Sequence, residues 1–339
     1  MAREQGRGRA SVSPPAPQIA IERELFLRTM SVGRAHSAAA QQLVRAMRDA
    51  SFRAGETIYR VGDFTRLIHF VTHGELDLTA PNGDTWRLKA PAVIGILDVT
   101  QRRPFSRTAT AITDVRALVM REDDWIETLE EHFEFARASL SSVAADVHRL
   151  HLNNSPGGGF PEAPPSDGDE PHALNIQERT LALRASPCFQ TAGIQALARI
   201  AVSAEERALS RGERLFSLGD RAASIFVVAR GTVHIEREEP TIRARFGPGS
   251  IVGGGGALSF VTQPYTAAAE SPAVVLEVRR EDLVDVLEDH VEMIRSLFVG
   301  LGSEREHIMN ELARTAKITG ALARSTAAPD APSKMSTPS

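Results

Sequence analysis

Several residues in this chain have types and spacings that could do chemistry. Arg102, Arg103 and Arg107 bracket Pro104-Phe105-Ser106, and guanidiniums set so closely could pair with a phosphate. Arginines on a surface loop are more often only solvated. From Gly253 to Gly256 four glycines stand in a row, whose unhindered N–H groups could face an anion. No Lys or Arg lies between Gly247 and Val278, however, and a four-glycine run is more often a loose turn of low anion affinity. His69 and His73, followed by Glu75, are spaced to share one face of a strand, as two metal ligands would. A third close-set histidine is missing, so the ordinary reading is two structural strand histidines. His132 and His290 sit beside acids and read as surface positions, and the single cysteine, Cys188, reads as a packed thiol. No nucleophile elbow, Walker loop or His-Glu-x-x-His motif occurs, so neither catalytic residues nor a metal site are expected.

These groups need a scaffold, and composition limits what it is. The chain has 339 residues and a formal net charge of −4, with 42% apolar residues. That length fits two ordinary domains, and the charge disfavours a coat for nucleic acid or anionic lipid. One cysteine and no apolar run near 20 residues point to a cytoplasmic chain without disulfides or a membrane span. Of 19 prolines, 11 fall in 11–20, 155–171 and 329–339. Residues 1–20 and 317–339 therefore read as disordered tails, and 153–173 as a flexible linker. Two blocks of similar length remain, 21–152 and 174–316.

The blocks are copies. At a shift of 157 positions Gly55-Glu56 meets Gly212-Glu213, Gly62-Asp63 meets Gly219-Asp220, Ile68 meets Ile225, Val71 meets Val228, and Gly74 meets Gly231. That makes seven identities in the 24 positions from Gly55. Each copy opens with a helical stretch (Ser37–Ala50 and Thr191–Val202) and continues with short alternating strands and Gly-rich turns. Each then closes with a long helix. Leu129, Phe133, Ala136, Leu140, Val143, Val147 and Leu150 repeat at 4-3 spacing, as do Leu287, Val291, Ile294, Phe298 and Leu301. This is the seam of a helix that packs on another helix, within the chain, in a homodimer or on a protein partner. Arg305, Gly300 and Gly302 should weaken the second seam.

This order of elements resembles the cyclic nucleotide-binding domain, an α+β fold with a β jelly-roll barrel, a helical lead-in and a long C-terminal helix. Two in tandem resemble the regulatory subunit of cyclic-AMP-dependent protein kinase. The closing helix is more similar to that of the Crp/Fnr sensory domain. Phe246-Gly-Pro-Gly-Ser-Ile-Val-Gly253 carries the likeness most strongly. The resemblance implies a phosphate cassette in each copy, at Gly95, Ile96, Leu97, Arg103, Phe105, Ser106 and Arg107, and at Gly253, Gly254, Gly255, Gly256, Tyr265 and Thr266. The family's ribose-binding glutamate falls at Ile96 and Gly254, and its phosphate-binding arginine at Phe105 and Tyr265. Neither copy keeps either residue, so binding should be weak or absent at the second cassette, while the displaced arginines leave the first open. Arg7-Gly-Arg-Ala-Ser11 resembles a truncated inhibitor segment of the kinase subunit, or a site for phosphorylation. Only 27 residues follow Leu312, too few for a helix-turn-helix, so DNA binding is not expected.

Two functions remain open from sequence. The chain is a non-catalytic sensor that signals a cyclic nucleotide to a protein partner through its helices, or a ligand-independent interaction scaffold. No resident cofactor is expected in either case.

Overall fold

In the computed structural model the described residues are Arg23, 37–153, 160, 162–164, 173–239, 241–259 and 261–326, with 313–326 as backbone only. The N-terminal stretch containing Arg7–Ser11, the residues beyond 326 and most of the linker lie outside them.

Copy 1 starts with α1 (Ser37–Ala46), which ends sooner than the periodicity suggested because β1 (Arg48–Phe52) takes over. Next come β2 (Thr57–Tyr59), β3 (Leu67–His73), β4 (Glu75–Thr79), β5 (Thr85–Lys89) and β6 (Ala92–Ile94), then α2 (Ile96–Thr100), β7 (Thr108–Ala111) and β8 (Val115–Arg121). Helices α3 (Glu122–Glu131) and α4 (Phe133–Asn153) complete it. Copy 2 has α5 (Ile176–Ala185), α6 (Ile194–Ser203), β9 (Glu205–Leu209), β10 (Arg214–Phe216), β11 (Ser224–Arg230), β12 (Val233–Arg237), β13 (Ile242–Phe246) and β14 (Ile251–Val252), then α7 (Gly254–Ser259), β15 (Thr266–Ala269) and β16 (Ala273–Arg279). It ends in α8 (Arg280–Asp289) and α9 (Val291–Thr326).

Each copy holds two four-stranded antiparallel sheets, ordered β1-β8-β3-β6 and β2-β7-β4-β5, then β9-β16-β11-β14 and β10-β15-β12-β13. They form jelly-roll-like sheet pairs, open at their edges rather than closed into barrels. Period-2 burial drives them, as in β13 (Ile242–Phe246), where Ile242, Ala244 and Phe246 point inward. The bulge at Val71/His73 recurs at Val228/Arg230, so the copies match in irregularities as well as in strands. Gly74 and Gly231 are needed at close approach, because an added Cβ would sit 2.4 Å from the Asp114 carbonyl oxygen or 2.2 Å from that of Pro272.

The closing helices begin later than the heptad pattern implied. His132 and His290 adopt the same non-helical conformation (φ −129°, ψ 76° and φ −132°, ψ 69°) and break each helix pair. Leu129 and Leu287 thus belong to α3 and α8. At the other end, α9 continues to Thr326, ten residues into the stretch read as tail. One buried cluster runs from the first jelly roll through Phe135, Leu140 and Val147 of α4 to Ile294, Leu297 and Leu301 of α9. The two closing helices therefore pack on each other within one chain. Each of these side chains contributes about 1.5–3 kcal/mol by leaving water.

Gly300 and Gly302 do not weaken that packing. A Cβ on Gly300 would lie 2.5 Å from Cys188 Sγ, and one on Gly302 would lie 2.1 Å from Leu97 Cδ1 of the other copy. Both are points of close approach. Among the described residues no helix is long and apolar enough to cross a membrane.

Candidate functional site

In copy 1 the turn from β6 into α2 passes through Gly95 in the left-handed region (φ +81°), where an added Cβ would meet the Phe105 ring at 3.0 Å. Phe105 is 2% exposed and stacks on Tyr59 with ring centres 3.8 Å apart. Phe105 and Tyr59 thus fill this turn as an aromatic pair. Burial, with the nearby Asp98 carboxylate, pushes the Tyr59 hydroxyl well above its ordinary pKa. Ile96 is half-buried and accepts nothing; Leu97 packs on Gly302.

The displaced arginines are not left to solvent. Arg103 Nε donates to Asp98 Oδ1 at 2.6 Å, and Asp98 Oδ2 also accepts from the Ser106 N–H and hydroxyl at 3.3 and 3.2 Å. Arg103 Nη2 reaches Glu306 Oε2 at 2.6 Å and Arg107 Nη1 reaches Glu306 Oε1 at 3.0 Å, so one carboxylate of α9 bridges both guanidiniums. Arg107 Nη2 also donates to Asn310 Oδ1 at 3.0 Å, and its guanidinium lies 3.8 Å over the Trp86 ring. Burial would raise the Glu306 pKa, but Arg103 and Arg107 outweigh it and hold the carboxyl below its usual range. Burial also pulls both arginines down. The carboxylate contacts overcome this at Arg103 and not at Arg107, yet both remain cations at ordinary pH.

Around this centre, Gln101 Nε2 donates to Ser303 Oγ at 2.8 Å and Arg295 Nη2 to the Thr100 carbonyl at 3.0 Å. Glu122, 1% exposed, has Arg66 at 2.8 Å, Arg102 at 3.4 Å and Arg295 at 3.7 Å. On α9, Arg295, Gly302, Ser303, Glu306 and Asn310 form a second stripe that lies across the first cassette.

Copy 2 is closed differently. The four glycines are not a loose turn: Gly253 (φ +76°) immediately precedes α7 and the other three form its first residues. Close contact explains them, since a Cβ on Gly254 would meet Ile251 at 2.8 Å, one on Gly255 His148 at 3.3 Å, and one on Gly256 Ala222 at 3.0 Å. His148 belongs to α4, so the first closing helix lies across the second cassette as α9 lies across the first. Tyr265 is 6% exposed, and the Gly253 N–H that could have faced an anion donates to its hydroxyl at 3.4 Å. Burial raises the pKa of that hydroxyl. Thr266 Oγ1 accepts from the Leu218 N–H at 3.2 Å, an ordinary loop contact.

The linker takes part as well. Phe160 stacks on His151 of α4 with ring centres 3.7 Å apart and meets Tyr265 and Phe246 edge-on at 5.8 and 5.5 Å. The Ala163 N–H donates to the Arg245 carbonyl at 2.9 Å, on the edge strand β13. His151 Nε2 lies 2.8 Å from Glu304 Oε1 of α9. The space left is a cavity of about 60 Å³ lined by His148, Phe160, Cys188, Tyr265, Leu297 and Glu304. Pockets that hold small ligands are roughly 300–1,000 Å³. Cys188 is pushed up to about 12 by burial and has no thiolate character at neutral pH.

The histidine pair is separated. His69 is inside the sheet between Phe52 and Tyr59, with burial lowering its pKa to about 4, while the bulge leaves His73 exposed. Among the described residues no group of three or more His, Cys, Asp or Glu could hold a metal ion. His132, half-buried, lies 2.7 Å from Gln42 Oε1. Sequence reading missed Asp98, Glu122, Arg295, Glu304 and Glu306. The 8-3-4 spacing of Arg295, Ser303, Glu306 and Asn310 was the available signal for a polar helix face.

The family model for the cyclic nucleotide-binding domain matches residues 50–132 and again 206–290. No curated protein matches the sequence. Among solved structures, the regulatory domain of Toxoplasma gondii protein kinase A with cyclic AMP aligns at 12% identity and TM-score 0.33, covering 86% of this chain and 98% of that one. The regulatory subunit of a cyclic-AMP-independent protein kinase A from Trypanosoma brucei aligns at 13% and 0.33, covering 83% and 93%. The N-terminal domain of a transcriptional regulator from Streptomyces coelicolor A3(2) aligns at 27% and 0.32, covering 37% of this chain and 91% of that one.

Proposed function

The chain is a tandem member of the cyclic nucleotide-binding domain family, and from that premise we propose that it is a non-catalytic regulatory protein whose two domains, 21–152 and 174–316, act as one closed intramolecular pair. In this reading it works in the cytoplasm on a protein partner, through the arrangement of its closing helices, and independently of cyclic nucleotide. One observation carries the reading: each cassette is occupied from inside the chain. Phe105 and Glu306 stand in the first, Tyr265 and Phe160 in the second, and each closing helix lies across the other copy's cassette. A ligand shifts such an equilibrium only by its differential affinity, and here it would first have to displace bound side chains.

The test is thermal stability with cyclic AMP, cyclic GMP and cyclic dinucleotides, each expected to leave the melting temperature unchanged. The sensing alternative rests on Arg103 and Arg107, whose shared carboxylate partner a phosphate could replace. A rise in melting temperature that disappears in Arg103→Ala or Arg107→Ala would establish it and remove the ligand-independent reading.

A further inference from the structure

The apolar seams of both closing helices are spent on each other, so an external surface must be sought elsewhere. Helices α1 and α6 occupy equivalent places in the two copies, as their links to α3 and α8 show: Gln42 donates to Glu131, and Arg199 pairs with Asp289. Their outer faces differ. Copy 1 has Ser37, Gln41 and Arg45 where copy 2 has Ile194, Ala198 and Val202, spaced four apart along α6. Ile194 is 62% exposed and Val202 73%. The fold itself does not require these apolar residues, since copy 1 builds the same helix with polar ones.

Beside Val202 lies an open groove of about 400 Å³, bounded by Ala198, Arg199, Ser203 and Val286, with Asp282 and Asp285 on its rim. Copy 1 has Asp124 and Glu127 at the matching places on α3, but there its own helix supplies a cation, Arg45, where copy 2 has Val202. The groove therefore combines an apolar stripe with two acids that have no ion pair or hydrogen bond among the described side chains.

We propose that this groove docks the C-terminal end of α9 from a second copy of the chain. Residues 313–326 carry Arg314, Lys317 and Arg324 and no acid, with Ile318 and Leu322 four apart. They supply cations for Asp282 and Asp285, since the groove's own Arg199 is paired with Asp289, and apolar side chains for the stripe. The contact is intermolecular by geometry. Helix α9 starts two residues after α8 ends, and at 1.5 Å per residue position 313 is about 33 Å further along its axis. Groove and helix end are different surfaces, so each copy offers one of each, and the contact builds a reciprocal dimer, a ring or an open chain according to the rotation between copies.

Sedimentation velocity of the full chain over a concentration series tests this. Association is expected to grow with concentration at low salt and to weaken at high salt. Val202→Lys, which puts a cation at this exposed position as Arg45 does in copy 1, should weaken self-association about tenfold or more, with folding checked by circular dichroism. Asp285→Lys and Arg314→Glu should each do the same, and the two reversals combined in one chain should restore it. A monomer at every concentration overturns the proposal. So does self-association unaffected by Arg314→Glu, which would give the groove a different occupant.

Discussion

Replacing Glu306 by alanine should unlatch the second copy's closing helix from the first cassette. The carboxylate accepts from Arg103 at 2.6 Å and from Arg107 at 3.0 Å, and charge-assisted hydrogen bonds are worth about 1.5–3 kcal/mol each. Removing one member of a well-buried pair costs about 3–5 kcal/mol. Two features reduce that here. Arg103 is 36% exposed and keeps Asp98, and Arg107, 13% exposed, keeps Asn310 and Trp86. The expected cost is about 2–3 kcal/mol, with about 1–2 kcal/mol of coupling to Arg107→Ala in a double-mutant cycle. Urea unfolding followed by tryptophan fluorescence suits the question, because Trp86 lies under Arg107. Glu306 has its folded pKa depressed by the arginines, so its contribution is present above the unfolded carboxyl value of about 4.3 and is lost as pH falls through the lower folded value. The gap between wild type and Glu306→Ala should thus be full at neutral pH and close below about pH 4. A cost under about 0.5 kcal/mol, or additive single mutants, would refute the latch.

Phe160→Ala should release the linker from the second cassette, costing about 2 kcal/mol for a half-buried phenylalanine and speeding proteolysis in 154–173 about tenfold or more. Cleavage at the wild-type rate would mean that the stacking holds nothing. Gly300→Ala must push Cys188 away and should cost about 1–2 kcal/mol after the helix-propensity gain, measured by denaturation, with the thiol becoming reactive to a disulfide reagent. An unchanged or raised stability would contradict the close contact. His69 is held neutral, its pKa lowered from 6.5 to about 4, so stability is full above pH 6.5 and falls by up to about 3 kcal/mol as pH drops toward 4. His69→Leu should flatten that part of the pH profile; a profile that keeps its slope would place the titration elsewhere.

Much of the fold is legible in the chain alone because its signals are local. Glycines at 55, 62 and 74 and their partners set turns, period-2 runs set strands, and the 4-3 seam set helices that need a helix to pack on. One local repeat escapes a fixed shift: Arg23 and Arg179 are 156 positions apart, while their partners Asp49 and Glu206 are 157 apart. Each arginine still ties its copy's lead-in to the first strand, at 2.5 and 3.1 Å. The helix breaks at His132 and His290 were not legible, since acids and apolar residues continue through them.

Sequence by itself determined the duplication and the jelly-roll framework. Only the tertiary structure decided what surrounds Ile96, Phe105, Gly254 and Tyr265. Gln101 meets Ser303, Arg103 meets Glu306 and Leu97 meets Gly302 across some 200 positions, and no periodicity encodes a contact at that separation. The same glycine breaks a helix when read locally and admits a neighbour when packed. The arginines that read in sequence as candidate phosphate ligands pair in the structure with Glu306. That difference depends on which charge the chain brings back to them, and therefore on the fold as a whole.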